Sequence, residues 1–499
     1  MASSSSWGIG EFLDLPKFGK WLQAAGQSFV QILPITELPE SQSSPYSALT
    51  AMALDPNFIA LPAVDDFEAL GGEAQLPDDD QRALDALRKT DRVIYADVRA
   101  LKGRVLRRMY RRFVEQEVAR SSQRAEQYRA FVAGEATWLN DYAIFRALHA
   151  RYAGTPWWEW PEPLARRAEP ALDAAVTELG EEIDYRKYLQ WIAAAQWAHA
   201  RHEARPVQVF GDVPFMISAD SPDVWTRQPE FRFDATVGVP PDAFSETGQD
   251  WGLPPWRWDV MAKNDFAWMQ RRAQRTARLF DGFRLDHLVG LYRTYMWPLD
   301  KSEPPFFAPP DEPTQAELGE KLVSLYRDTG AEVIAEDLGT VPDFVRASLQ
   351  RLGVPGFKVV RWERRWKAPG KPFIDPTEYE EASVATTGTH DTEPMVTWWK
   401  AAPAEERRAV RRMPSVKRHR ADSSQLDALL RALLDARSRL TIIPLQDVFG
   451  WTDRINTPAQ ITADNWSWML RWRVDRLLDL RRARNRAAKL AQWTRESNR

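Results

Sequence analysis

Short apolar runs alternate with longer amphipathic stretches through most of this chain. Residues 29–35, FVQILPI, read as a short buried strand ending at a proline. The segment before it, LPKFGKWLQAAG, has helical spacing, with Gly26 as its C-cap. Strand-like runs recur at 207–213, 282–286, 333–336, 356–361, 384–387 and 440–445. Amphipathic stretches such as WMQRRAQRTARLF and LGEKLVSLYRDTG separate most of them. Apolar strands alternating with helices imply βα units on a parallel sheet. Seven such runs come close to the eight strands of a (β/α)8 TIM-type barrel.

The pattern changes between residues 61 and 205. This segment is rich in Ala, Arg and Glu and has helical spacing almost throughout. It predicts a helical subdomain inserted into the barrel. The expected division is 1–60 as the first part of the barrel, 61–205 as the insertion, 206–460 as the main catalytic barrel, and 461–499 as a C-terminal helical segment. No repeat at a solenoid period interrupts this scheme.

Composition narrows the class. The 499 residues are 44% hydrophobic and 27% charged, ordinary for a globular protein with a sizeable core. A net charge of -3 gives no reason to expect nucleic acid or an anionic membrane as partner. With no cysteine, disulfides and thiolate metal sites are excluded. The start, MASSSSWGIG, lacks a basic region followed by an apolar run, and no stretch approaches the roughly 18 apolar residues of a membrane span. A cytoplasmic location is the resulting expectation. The basic run at 407–420 reads as a solvated helix surface.

The candidate chemistry lies at strand ends. Asp286 closes DGFRLDH, Glu336 closes the run in AEVIAEDLG, and Asp391 follows a turn in TTGTHD. Spacings of 50 and 55 residues fit carboxylates carried on one rim by successive strand-and-helix units. Cutting a glycosidic bond needs one carboxylate as nucleophile and one carboxylic acid as proton donor. Arg284, two residues before Asp286, shares its strand face and would hold it ionised, unless the two form a purely structural ion pair. An apolar strand before Glu336 would raise its pKa, as a general acid requires. Asp337 points the other way and is the weaker candidate. His287 and His390 sit beside candidate acids and would donate to sugar hydroxyls. No metal-ligand spacing occurs, so no metal or other cofactor is expected.

Tryptophan is unusually abundant, at 23 residues. Core filling accounts for most of them. Trp251, Trp256 and Trp258 fall in the Pro/Gly-rich segment 238–258 and are read as sugar-stacking residues. That segment is read as a long loop acting as a lid.

These motifs together resemble the 4-α-glucanotransferases of glycoside hydrolase family 77, the amylomaltases or disproportionating enzymes. The resemblance spans nearly the whole chain. It is carried by WGIGEF, GQSFVQILPI, SSPYSALTAMALDPNFI, FGDVPFMISADSPDVW, GVPPDAFSETGQDWG, FDGFRLDH, IAEDLG, VPGFKVV, TGTHD, PLQDVFG and DNWSW. It implies transfer of α-1,4-glucan segments between maltooligosaccharides by a retaining mechanism. Carried over, Asp286 is the nucleophile, Glu336 the acid and base, and Asp391 the stabiliser of the transition state. Arg284, His390 and Asp212 match supporting positions, while Tyr46, Trp251 and Asn465 match residues expected near bound glucan. Retention asks for carboxyl groups about 5–5.5 Å apart.

Three departures accompany the resemblance. Family members usually begin with an apolar strand of the form GVLLHPTSLP, whereas only MASSSS precedes Trp7, so the first barrel strand is expected to be missing. The usual HDN is His390, Asp391, Thr392. The usual Arg after NWxW is Met469, and the usual Gly after the Asn-x-Pro turn is Ala459. An α-glucan hydrolase and a catalytically impaired glucan-binding protein remain the alternative readings.

Overall fold

The computed structural model describes every residue except 242–245, 421–423, 459 and 461. Ala459 and the middle of the expected lid therefore lie outside the described residues. Among the described residues eleven strands run in chain order: β1 (Phe29–Gln31), β2 (Gln208–Val213), β3 (Ala235–Val239), β4 (Gln249–Leu253), β5 (Gly282–Leu285), β6 (Thr294–Pro298), β7 (Phe306–Ala308), β8 (Glu332–Ala335), β9 (Gly356–Val359), β10 (Ser383–Thr386) and β11 (Leu440–Ile442).

Seven of them form one parallel sheet in the order β1-β2-β5-β8-β9-β10-β11. These are the seven strands expected from the hydrophobic runs: five are trimmed by one to four residues, and β8 and β10 are shifted one residue towards the N-terminus. They curl into a nearly closed barrel. Its two edges, β1 and β11, do not pair with each other. Among the described residues the barrel thus has seven strands, the number of strand-like runs in the sequence. The strands between the two edges are mostly apolar because they are covered on both faces, whereas β1 and β11 are only partly buried. Val209, Phe283, Ile334, Val359 and Val384 are all at most 4% exposed.

The other four strands make an antiparallel sheet in the order β4-β3-β6-β7. This corrects the reading of 238–258 as a long loop. Val237 to Val239 pair with residues of β4, and β3 pairs on its other side with β6. The hairpin puts Gly238 against the Gln249 carbonyl and the Trp297 indole, where a Cβ would stand 1.9 Å from that oxygen. Only glycine fits there.

Residues 65–204 are helical for most of their length, ending in the 25-residue helix Gly180–Ala204 that leads into β2. A buried ion pair ties this segment to the WGIGEF motif. Lys102, on helix Tyr95–Phe113, donates from Nζ to Glu11 Oε1 at 2.6 Å and to the carbonyls of Asn57 and Ile59. An ammonium group so deeply buried is tolerable only because all three of its donors are used. Helix Leu15–Ala24 ends as expected at Gly26, which has φ 69° and packs against Ala491 of helix Arg481–Glu496. Among the described residues no helix is long and apolar enough to cross a membrane.

Candidate active site

The ladder between β2 and β5 sets the register of the site. Asp212 and Arg284 are direct partners on adjacent strands, so both side chains enter the barrel from the same level. Arg284 Nη1 donates to both oxygens of Asp212, at 2.7 and 2.9 Å. Asp286 follows the last residue of β5, and its Oδ1 lies 2.9 Å from the same Nη1. Glu336 follows the last residue of β8, and its Oε2 lies 4.0 Å from Arg284 Nη2. One guanidinium therefore faces three carboxyl groups at the carboxyl ends of the strands, the usual functional rim of a parallel barrel.

Three carboxylates around one cation leave an excess of negative charge. Glu336 is the most distant, and burial pushes its pKa up to about 7, with Asp286 adding to the rise and Arg284 opposing it. Burial also raises the pKa of Asp212, against the pull of Arg284. Arg284 itself is driven firmly to its charged form. Burial opposes that charge, but Asp212 and Asp286 outweigh the effect.

His287 holds Glu336 in place. Its backbone N–H donates to Glu336 Oε2 at 2.8 Å, and its φ of 43° is what turns that N–H toward the acid. The ring is packed edge-on against Phe215 and Trp251. Burial lowers its pKa to about 4, so the imidazole is neutral. Besides the ring, which was expected to donate to sugar, His287 thus contributes its backbone N–H.

Asp391 has the most open side chain of the three acids, 42% exposed against 24% for Asp286 and 15% for Glu336. His390 Nε2 lies 3.3 Å from its Oδ2, and Asn456 Nδ2 donates to its Oδ1 at 2.6 Å. Burial works against its charge, but His390 and Asn456 together bring its pKa below the usual carboxylate range. Arg454 fixes the backbone by donating to the Asp391 carbonyl at 2.6 Å. Thr392 closes the turn by accepting from the Thr389 N–H. Met469 is buried at 7% exposure.

An aromatic wall adjoins the acids. Tyr46 donates to Asp212 Oδ2 at 2.8 Å, and its ring stacks on His390 with centroids 5.1 Å apart. Trp466 meets both rings at 5.6 Å. Trp251, on β4, reaches the other side through His287. Asn465 stands next to Trp466, but its amide is spent on the loop beside it. It accepts from the Thr457 N–H and donates to the carbonyls of Thr457 and Gln460.

Two sugar-stacking expectations are overturned. Trp256 and Trp258 are 1% and 7% exposed and pack in the core, Trp256 against Phe231 and both against each other. Asp337, the weaker acid, is structural, accepting from the Phe357 N–H at 2.7 Å. Asn456, Arg454 and Trp466 were not singled out from sequence. The Asn-x-Pro turn and the DNWSW motif were the available signals. Among the described residues no cluster of His, Asp and Glu has the geometry to hold a metal ion.

The family model described as 4-alpha-glucanotransferase, glycoside hydrolase family 77, matches residues 1–475. The chain is 33% identical over 475 residues to the 4-alpha-glucanotransferase of Thermus thermophilus, covering 91% of this chain and 89% of that one. It is 30% identical over 491 residues to that of Chlamydia pneumoniae, covering 95% and 90%. Its fold is similar to the amylomaltase from Streptococcus agalactiae in complex with acarbose, with a TM-score of 0.83 at 27% identity, over 100% of this chain and 97% of that one.

Proposed function

This chain belongs to the 4-alpha-glucanotransferases of glycoside hydrolase family 77 and is a glucanotransferase enzyme; from that premise we propose that it moves α-1,4-glucan segments between maltooligosaccharides by a retaining double displacement. In the first step the Asp286 carboxylate attacks the anomeric carbon. The glycosidic C–O bond breaks, and Glu336 gives its proton to the departing 4-oxygen. In the second step Glu336, now a carboxylate, takes the proton from the 4-hydroxyl of an acceptor glucan. That oxygen attacks the anomeric carbon and frees Asp286.

The observation that carries this reading is the single guanidinium of Arg284 serving Asp286 and Glu336 unequally. The guanidinium sits beside Asp286, while Glu336, farther from it and buried, holds its proton up to about pH 7. The same geometry explains the change of role. Once Asp286 is esterified its negative charge is gone, and with it one of the causes that raise the Glu336 pKa. Glu336 then yields its proton more readily and serves as base. Asp391, tied to His390 and Asn456, is the candidate for holding hydroxyls of the distorted ring. Tyr46, Trp466 and Trp251 offer faces for sugar stacking, and an ordered acceptor reaches the intermediate before water does.

Maltotriose tests the reading. Transfer gives free glucose together with a ladder of longer chains. Shorter products alone would identify a hydrolase, and no products from well-folded protein would identify a glucan-binding protein.

A further inference from the structure

The turn that carries His390 and Asp391 leaves the end of β10 at Thr387 and enters helix Met395–Ala401. Its two ends meet on one carboxyl group. Asp447, in helix Leu445–Phe449 beyond β11, accepts from the Thr387 hydroxyl at Oδ2, at 2.5 Å, and from the Met395 backbone N–H at Oδ1, at 2.6 Å. All three residues are at most 1% exposed. The acid belongs to PLQDVFG, a motif to which the proposed reaction assigns no part. Both of these donors are neutral, and burying a carboxylate among neutral groups is unfavourable. What the carboxylate offers is an acceptor on each oxygen and no donor, so it takes both ends of the turn at once.

The strand on the other side braces the same turn. Arg361, two residues beyond β9, donates from Nε to the Thr387 carbonyl at 3.1 Å and from Nη1 to Glu393 Oε1 at 2.9 Å. In the sheet β10 lies between β9 and β11, so the turn is held from both flanks. Between these anchors it is tightly folded. The Asp391 N–H donates to Thr389 Oγ1 at 3.3 Å, and a Cβ on Gly388 would stand 2.2 Å from Thr392 Oγ1. So compact a turn has little slack, and the placing of its ends sets the placing of Asp391.

We propose that Asp447 is a positioning residue for the transfer reaction: by joining the two ends of the turn it fixes where the Asp391 carboxylate stands against the sugar ring. The inference rests on the reading of Asp391 as the group that holds hydroxyls of the distorted ring. Its effect therefore falls on the transition state, lowering kcat rather than raising KM when the link is cut.

The test measures kcat and KM of the full chain with a maltosyl fluoride donor and maltose as acceptor, a pair whose activated bond keeps slow variants measurable. Asp447→Ala cuts both links and is expected to lower kcat about a hundredfold with KM nearly unchanged. Asp447→Asn keeps both, since its amide oxygen accepts from the Met395 N–H and the Thr387 hydroxyl turns to accept from its NH2. It is expected to stay within about threefold of the parent. Thr387→Val cuts one link with Asp447 in place, lowers kcat about tenfold, and reads the effect even if Asp447→Ala does not fold. In an Asp391→Asn background neither Asp447→Ala nor Thr387→Val is expected to lower kcat further, because the group they position is already gone. Losses that multiply in the double variants would mean that the links act independently of Asp391. Equal losses in Asp447→Asn and Asp447→Ala would mean an effect of charge, and a raised KM with kcat kept would mean ground-state binding. Each of these results overturns the proposal. A parent-like kcat in Asp391→Asn, seen without touching Asp447, would instead remove the reading of Asp391 on which it rests.

Discussion

The backbone N–H of His287 donates to Glu336 Oε2 at 2.8 Å, from a residue whose φ is 43°. A non-glycine residue in the left-handed region carries strain on the order of 1–3 kcal/mol, which the surrounding packing must hold. Here Phe215 and Trp251 pack edge-on against the ring of that residue. The bond also favours the ionised form of Glu336, opposing the effect of burial.

His287→Gly keeps the N–H and the left-handed backbone. We expect it to retain activity within about tenfold and to keep the parent pH profile. His287→Val cannot adopt that backbone without greater strain. The bond to Glu336 is then lost, and the alkaline limb of kcat/KM moves to higher pH. Rate profiles of both variants on maltotriose check the difference.

The alkaline limb itself belongs to Glu336. The first step needs it protonated, so kcat/KM falls as pH rises through about 7. Asp286→Asn removes a neighbouring charge that raises this pKa, and titration of Glu336 in that variant is expected at lower pH. Carboxyl NMR or infrared titration measures it. An unchanged value would mean that the two acids do not sense each other.

Glu336→Gln separates activity from stability. Loss of the acid and base costs about 10²–10⁴-fold in turnover of maltooligosaccharides. In the folded chain Glu336 holds its proton up to about pH 7, against an ordinary value of 4.5. Between those values the folded state binds more protons than the unfolded one, so this group lowers stability as pH rises. The neutral amide escapes that loss. The variant is therefore expected to melt higher than the parent above about pH 7, with the gap narrowing toward pH 4.5. Melting curves across pH read it directly.

Arg284→Lys is expected to fail on both counts. Lysine cannot serve both oxygens of Asp212 and Asp286 from one planar group. Breaking a buried pair costs about 3–5 kcal/mol. Denaturant unfolding and turnover are both expected to drop, with turnover falling by at least about a hundredfold.

Asn456→Ala removes the 2.6 Å hydrogen bond to Asp391 Oδ1. The carboxylate loses one of the groups that lower its pKa. A fall in kcat of about tenfold is expected, with KM nearly unchanged if Asp391 acts mainly in the transition state. A change in KM alone would instead assign Asp391 to ground-state binding.

The barrel was legible because its strands are short apolar runs closed by Gly, Pro or acidic residues. Arg284 and Asp286 could be read as neighbours because alternate residues on a strand share a face. Two kinds of feature were hidden. The β3–β4 hairpin lies in a stretch whose prolines and glycines read as loop, and its pairing depends on β6, which is distant in sequence. Trp256 and Trp258 looked exposed for the same reason, although tertiary packing buries them. The backbone bond from His287 to Glu336 could not be read at all, since it depends on a backbone angle. Asn456 joins Asp391 across 65 residues through a turn whose direction no local pattern encodes.

The most direct test of the proposed mechanism is to trap the intermediate. Glu336→Gln incubated with a maltosyl fluoride needs no acid for the first step and has no base for the second. Intact and peptide mass spectrometry is expected to find one maltosyl adduct, carried by the peptide containing Asp286. An adduct on a different carboxylate, or none while fluoride is still released, would contradict the account.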